Sequence, residues 1–400
     1  MVRVCVLLEW SLNRDSRAQR TARSLSRVAQ VDVYFVKHHA GEVVDPDLFN
    51  ENVQLFPIDR EKSVLDVVLR HSFFYLEGRH MVGEVLKTQR HYDAIYAHDL
   101  PTSYAAYRLA KELGAKIIYD VHDLYIETIN QQFPRNASFV KLMIFRLLMK
   151  FMKSVGRIWE RRFLKQVDLV LTTNPSYQQY LKSNYTIKRI RVVTNYPEYR
   201  EVERTTRLYK VLDIGEEKSL ILYHGILGDG RSLELIIASA AYFNDNNVLV
   251  MIGNGPLEGK LKSIVKSRNL ESKVRFIEHL KYEELFSYAS SATLGILLIE
   301  PINLSKEFAT ANKVTEYMAS GIPVLASDSP EHRRIVGEAQ CGFVRSFKCE
   351  RELGEFINEV TSDRERLARI GATAQKAFKE RFNWANEEPA FLDAMQELLA

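Results

Sequence analysis

"LILYHGILGDGRSLELIIASA", residues 220–240, passes from an apolar run through three glycines into a helical stretch. The pattern repeats at once in "VLVMIGNGPLEGKLKSI", residues 248–264. An apolar run of this length, closed by glycine, reads as a strand buried on both faces of a parallel sheet. Strand, glycine loop and helix, taken twice, are the building units of a doubly wound α/β domain. Such loops bring backbone N–H groups to a helix N-terminus, where an anion is favoured. Neither loop fits the dinucleotide spacing G-x-G-x-x-G: the first holds Gly225, Gly228 and Gly230, the second Gly253, Gly255 and Gly259. There is no Walker-A lysine either, which argues against an NAD enzyme and a phosphate-loop ATPase.

The alternation extends in both directions. In the first half, strands are predicted at 2–8, 31–36, 53–57, 93–97, 115–121, 167–173 and 190–194, with helices near 14–29, 61–90, 101–113, 137–166 and 175–183. In the second half, strands are predicted near 219–224, 247–252, 273–277, 293–299, 322–326 and 342–345. Helices there fall near 231–243, 256–269, 281–289, 312–320, 350–359 and 362–381, and "FNWANEEPAFLDAMQELLA" closes the chain as a last helix. The polar, aperiodic stretch 195–219 marks a domain boundary, giving domains over 1–200 and 201–385 with 386–400 as a closing segment. The fold class is α/β, two doubly wound Rossmann-like domains whose strand C-termini face a central cleft.

Bulk properties exclude several classes. A net charge of +4 over 400 residues, without zinc-finger spacing or a basic repeat, argues against nucleic acid. Cys5, Cys341 and Cys349 are too few and scattered for a disulfide framework or a metal site, which suits a reduced cytoplasmic setting. "MVRVCVLLEW" reads as a first strand, not a signal peptide, and no run of 18 apolar residues is present.

The stretch "ANKVTEYMASGIPVLASD", residues 311–328, carries the chemistry. Asn312 opens a helix of about three turns, and Lys313 puts a cation at the pole where the dipole disfavours it. Arg231 does the same at the helix after the first glycine loop. Two cations at two helix N-termini fit one diphosphate, as Arg suits bidentate contact. Glu316 lies about 5–6 Å further along the axis, at ~1.5 Å per residue, roughly a diphosphate-to-ribose distance. The alternative is an i, i+3 ion pair worth a few tenths of a kcal/mol.

With "YHGIL…GRSLELIIASA", "LVMIGNGPLEGKL" and "YDAIYAHDLPTSYAAYRLAKELGAKIIYDVHDLYIE", this stretch resembles the retaining nucleotide-sugar glycosyltransferases of the large family 4 group, in their Asn-Lys…Glu-Tyr-Met version. The resemblance implies the GT-B fold and a closing helix that crosses back to the first domain. It implies a nucleotide diphosphate sugar as donor and a glycan or lipid-linked acceptor. No cofactor and no metal are expected, because helix dipoles and cations take the metal's place. By the same resemblance, Glu316 holds the donor ribose as the second acid of E-x7-E, and Arg231 and Lys313 attend the diphosphate with Asn312 beside them. Gly225, with Gly253 and Gly255, admits the pyrophosphate. Phe276 to Leu280, including His279, reads the nucleobase, and His122 lies beside the transferred sugar.

The chain departs from that pattern. Phe308 stands at the first acid of E-x7-E, with Glu300 and Glu307 as nearby substitutes; Arg14 and Arg17 stand in a loop that usually carries a glycine pair. Two further readings therefore stay open, a nucleotide-sugar 2-epimerase and a non-catalytic partner subunit. Asp99 and Asp123, each following a histidine at a strand end, read as helix caps, and Asp45-Pro46-Asp47 as a turn. Residues 139–165 carry eight Lys/Arg and a single acid, Glu160, among bulky apolar residues, a pattern suited to peripheral contact with an anionic membrane.

Overall fold

The computed structural model describes residues 2–37, 39, 41–59, 75–129, 139–310 and 312–400. The chain divides into two compact units, Met1–Asn195 with Glu388–Ala400, and Tyr196–Glu387. Each is built on one parallel sheet.

The first unit holds β1 (Arg3–Leu8), β2 (Gln30–Val36), β3 (Val53–Ile58), β4 (Ala94–His98), β5 (Lys116–Val121), β6 (Leu169–Thr172) and β7 (Ile190–Val192) in the order β3-β2-β1-β4-β5-β6-β7. Runs such as "RVCVLL" and "KIIYDV" are almost wholly buried, as a sheet covered by helices on both faces requires. The chain reverses its direction of travel across the sheet between β1 and β4, and ligands of doubly wound sheets bind beyond the strand ends at such a point. Beside that point, the β4/β5 register sets His98 opposite Asp120.

The second unit holds β8 (Ser219–His224), β9 (Asn247–Ile252), β10 (Val274–Ile277), β11 (Leu294–Leu297), β12 (Val324–Ala326) and β13 (Gly342–Val344), ordered β10-β9-β8-β11-β12-β13. Its switch point is the β8/β11 pair. Alternate residues serve opposite faces. Leu220, Leu222, Val248 and Val250 pack with Val314, Tyr317 and Met318, whereas Ile221, Tyr223, Leu249 and Met251 pack with Leu233, Ile236 and Ile237.

The last helix, Trp384–Leu399, continues from one unit into the other. Its later part is fixed to the first unit by Glu388, which accepts from Ser24 Oγ at 2.6 Å and from Arg27 at 2.8 Å.

Every predicted strand is present, with ends displaced by up to two residues. The predicted helices fall where expected, although of 61–90 only 75–90 is described, its helix running over Tyr75–Lys87, and 60–74 lies outside the described residues, as do 137 and 138. Among the described residues, one long helix went unpredicted. Pro330–Ala339 is capped by Ser329, which accepts from His332 N–H, and starts with a proline at its first turn. Its polar surface hid the apolar period of Ile335, Val336 and Ala339. Short helices at Tyr125–Thr128, Arg207–Leu212 and Leu304–Glu307 also escaped, the second of them inside the supposedly irregular 195–219 stretch.

Candidate functional site

Two clusters of polar side chains stand at the strand ends, one in each unit. In the second unit, the cluster is organised by the Asn312–Ala319 helix. Tyr317 fixes that helix to the sheet: its hydroxyl donates to the carbonyls of Leu222 in β8 at 2.9 Å and Ile296 in β11 at 3.3 Å. Its ring occupies the space above Gly295, where a Cβ would come within 2.5 Å. With Tyr317 held, Lys313 and Glu316 are directed at the end of β8.

Gly225, directly after β8, has φ 116°, and a Cβ there would fall 2.7 Å from Lys313 Cε. The lysine chain thus rests on bare glycine backbone. Burial drives the Lys313 ammonium down to about 8; Glu316 opposes this, and Arg231 and Lys306 add to it. Arg231 and Lys306 therefore both repel Lys313, a repulsion that a bound anion would relieve. Lys306 was not anticipated. The signal lay in Asn303, which caps the Leu304–Glu307 helix by accepting from Lys306 N–H at 2.9 Å.

Beneath Lys313, Glu316 is buried and its Oε2 lies 3.6 Å from Nε2 of His224, the last residue of β8. Burial, then Lys313, pushes His224 well below 6.5, so this imidazole is neutral. It stacks edge-on against Tyr317 with ring centroids 4.9 Å apart. His224 is a second residue that sequence reasoning passed over, because a histidine inside the run "LILYHG" reads as strand.

The structure thus brings Gly225, Lys313 and Glu316 together, with Arg231 near enough to act on the charge of Lys313. Gly253 and Gly255 shape the loop itself. A Cβ on Gly253 would strike the Gly225 carbonyl oxygen at 2.1 Å, and one on Gly255 the Leu227 carbonyl oxygen at 2.5 Å, so these glycines let the two loops pack backbone to backbone. Phe276 and Leu280 turn their side chains to the apolar core, and His279 is exposed. Glu300, one of the two nearby substitutes for the acid missing at Phe308, has a partner of its own. Its carboxylate accepts from Ser232 N–H at 3.1 Å, at the start of the Leu233–Ser239 helix.

In the first unit, Asp120 is the centre. It is fully buried and accepts from Arg17 at 2.9 and 2.7 Å, from Tyr96 Oη at 2.7 Å, and faces His122 Nε2 at 3.2 Å. Arg17 also donates to the Val193 carbonyl at 2.8 Å. Arg17, which the sequence placed in a loop, lies in the Ser16–Leu25 helix and is an interior structural cation. His122 faces Asp99 as well, at 3.4 Å, and lies 3.0 Å from His98 Nδ1.

Electrostatics divide the two histidines. Burial lowers His122, but Asp99 and Asp120 outweigh it and hold the ring at about 9, protonated at neutral pH. Burial, then the neighbouring His122, presses His98 to about 3, so it stays neutral. Asp99 is raised to about 6 by burial against the pull of His122.

The expectation that Asp99 and Asp123 cap helices is corrected. Asp99 adopts φ 59°, ψ 170°, a conformation costly for any residue with a Cβ, and offers its own helix no side-chain cap. It accepts instead from His122 N–H at 2.8 Å. Asp123 accepts from Tyr177 Oη at 3.4 Å. Asp45 does form the expected turn, accepting from Asp47 N–H at 3.0 Å.

Ligand atoms of Asp15, His98 and His122 lie within 4.8 Å of one another, near enough to hold a cation. Yet Asp15 caps the Ser16–Leu25 helix, accepting from Ala18 N–H at 2.9 Å. His122 is itself the positive charge there, and would have to lose its proton to bind metal.

Two family models match the chain. Residues 16–196 match Glycosyltransferase Family 4, and residues 205–377 match Glycosyl transferases group 1. The chain is a two-domain glycosyltransferase. The uncharacterized glycosyltransferase YqgM of Bacillus subtilis is 23% identical over 309 residues, 75% of this chain and 76% of that relative. Sucrose-phosphate synthase of Thermosynechococcus elongatus superposes with TM-score 0.79 at 15% identity, covering 100% of this chain and 99% of that one. HepE of Anabaena, solved in complex with UDP and glucose, gives 0.75 at 14% identity, covering 99% and 100%. WaaG, a glycosyltransferase involved in lipopolysaccharide biosynthesis, gives 0.65 at 13%, covering 98% of each chain. The glycosyltransferase therefore has the GT-B architecture expected from its sequence, two Rossmann-like domains on parallel sheets.

Proposed function

We propose that this glycosyltransferase moves a hexosyl group from a nucleoside diphosphate sugar to a glycan or lipid-linked acceptor, with retention at the anomeric carbon and without a metal. The observation that carries the reading is the cationic turn of Arg231, Lys306 and Lys313 over Gly225, with buried Glu316 one helical turn behind it. The cations take the diphosphate, and Glu316 accepts from the ribose hydroxyls. HepE, bound to UDP and to UDP-glucose in solved structures, supports a nucleotide-sugar donor.

In the reaction, the bond from anomeric carbon to diphosphate oxygen breaks as the acceptor oxygen bonds to that carbon. The acceptor proton passes to the leaving phosphate. Charge develops on the diphosphate, where preorganised Arg231 and Lys313 stabilise it in place of a divalent cation. In the first unit, both ring nitrogens of protonated His122 face carboxylates, Nδ1 that of Asp99 and Nε2 that of Asp120, so the ring is held as a fixed positive charge. Retention needs no side-chain nucleophile in this scheme; positioning supplies the acceleration. Buried thiols at Cys5 and Cys341 suit a reducing cytoplasm.

The test is a panel of UDP-, GDP- and ADP-sugars, with and without acceptors and with and without EDTA. One donor should give free nucleoside diphosphate and a product of unchanged anomeric configuration, equally well in EDTA. An epimerised sugar without transfer, or no turnover with any donor, would overturn the reading.

A further inference from the structure

The Phe139–Leu164 helix buries Met149, Met152, Gly156, Glu160, Phe163 and Leu164, the positions expected of one helix face. Its opposite face is apolar along the middle too. Leu147, Phe151 and Ile158 are 63%, 61% and 52% exposed, and Met143 is half exposed. At about 100° per residue these four project within an arc of about 80°. Lys150 and Arg161 run along one edge of that arc and Arg162 along the other, all exposed. Lys153 and Arg157 lie nearer the protein and share Glu127, at 3.3 and 2.8 Å.

An aqueous surface helix places charge where this one has leucine, phenylalanine and isoleucine, so the stripe needs a cover. The flanking charge identifies it. Glu160, the single acid of the segment, is buried and accepts from Tyr185 Oη and, at 3.4 Å, from Tyr119 Oη. In a two-fold contact between copies, Lys150, Arg161 and Arg162 would meet their own kind. An anionic bilayer answers both features at once.

We propose that this face docks on a membrane rich in anionic lipid, with Met143, Leu147, Phe151 and Ile158 at the acyl boundary and Lys150, Arg161 and Arg162 at the headgroups. The membrane is met side-on: among the described residues no helix is long and apolar enough to cross one. The proposal stands apart from the donor chemistry, since none of these residues belongs to either polar cluster.

The test is flotation of the full chain with phosphatidylcholine vesicles, with and without phosphatidylglycerol, at low and high salt. The chain should float only with phosphatidylglycerol, and less as salt rises. Leu147→Glu with Phe151→Glu should lower the partition more than tenfold, and Lys150→Gln and Arg161→Gln about fivefold each. Thermal unfolding of the lysine and arginine variants should match the parent, which keeps the test informative if the double glutamate variant misfolds. A chain that stays in solution with anionic vesicles at low salt overturns the proposal. So does light scattering that shows a dimer split by Leu147→Glu, for a second copy would then be the cover.

Discussion

Lys313 rests on Gly225: a Cβ at residue 225 would lie 2.7 Å from its Cε and 3.0 Å from its Nζ. Sequence distance hides this pairing, because 88 residues separate the two positions. The glycine leaves the lysine its seat, and the lysine gives the loop its charge.

Gly225→Ala should therefore damage both. A φ of 116° costs a residue with a Cβ about 1–3 kcal/mol, and the methyl group displaces the ammonium. Thermal unfolding should register the first loss, and a donor KM raised at least about tenfold the second. An unchanged KM would detach Lys313 from the donor.

Glu316→Ala and Arg231→Ala should each lower kcat/KM for the donor about 10- to 100-fold, as expected for a hydrogen bond to a charged group worth about 1.5–3 kcal/mol. Arg231 lies outside the core, so its variant should unfold at the parent temperature. Release of nucleoside diphosphate, followed by chromatography, reads both. Normal turnover in both variants would remove the donor assignment.

His122 gives a pH signature. Its pKa in the fold is about 9 against an ordinary 6.5. The raised value means that its stabilising contribution is fully present below about 6.5 and is lost as pH rises through about 9. Urea midpoints measured across that window should fall for the parent and stay flatter for His122→Gln. Parallel curves would mean that His122 is neutral in the fold.

Asp120→Asn leaves Arg17 buried beside a neutral amide. Breaking a buried pair by removing one partner costs about 3–5 kcal/mol, and Asp120 also accepts from Tyr96. The calorimetric transition of the first unit should drop by several degrees. Restoring charge balance with Arg17→Met should recover part of that loss.

How much of this was legible in the sequence follows from the range of each cause. Strands buried on both faces announce themselves locally, and the thirteen strands of the described residues, edge strands included, were all located. Helix Pro330–Ala339 was missed although Ser329 and Pro330 signal its start, because its exposed face outweighs its apolar one. Lys313 and Arg231 were recognisable because each sits at a helix opening, and Glu316 because it follows about one turn behind Lys313. The first-unit cluster was not, since Arg17 and Asp120 meet across 103 residues and His98 faces Asp120 only through the β4/β5 register. Asp99 was misread because its sequence context, an aspartate before Leu-Pro, is that of a cap. Only the backbone torsion reveals that it is held for His122.

The depressed ammonium of Lys313 carries one more consequence. At about 8, it is partly deprotonated in mildly alkaline solution. A diphosphate settling beside it favours the charged form, so the protein must draw a proton from the buffer as the donor binds. The heat of binding at pH 8 would then vary with the ionisation enthalpy of the buffer chosen, and the slope would count the protons taken up. Calorimetry in two buffers could thus detect donor arrival at this lysine with no transfer taking place.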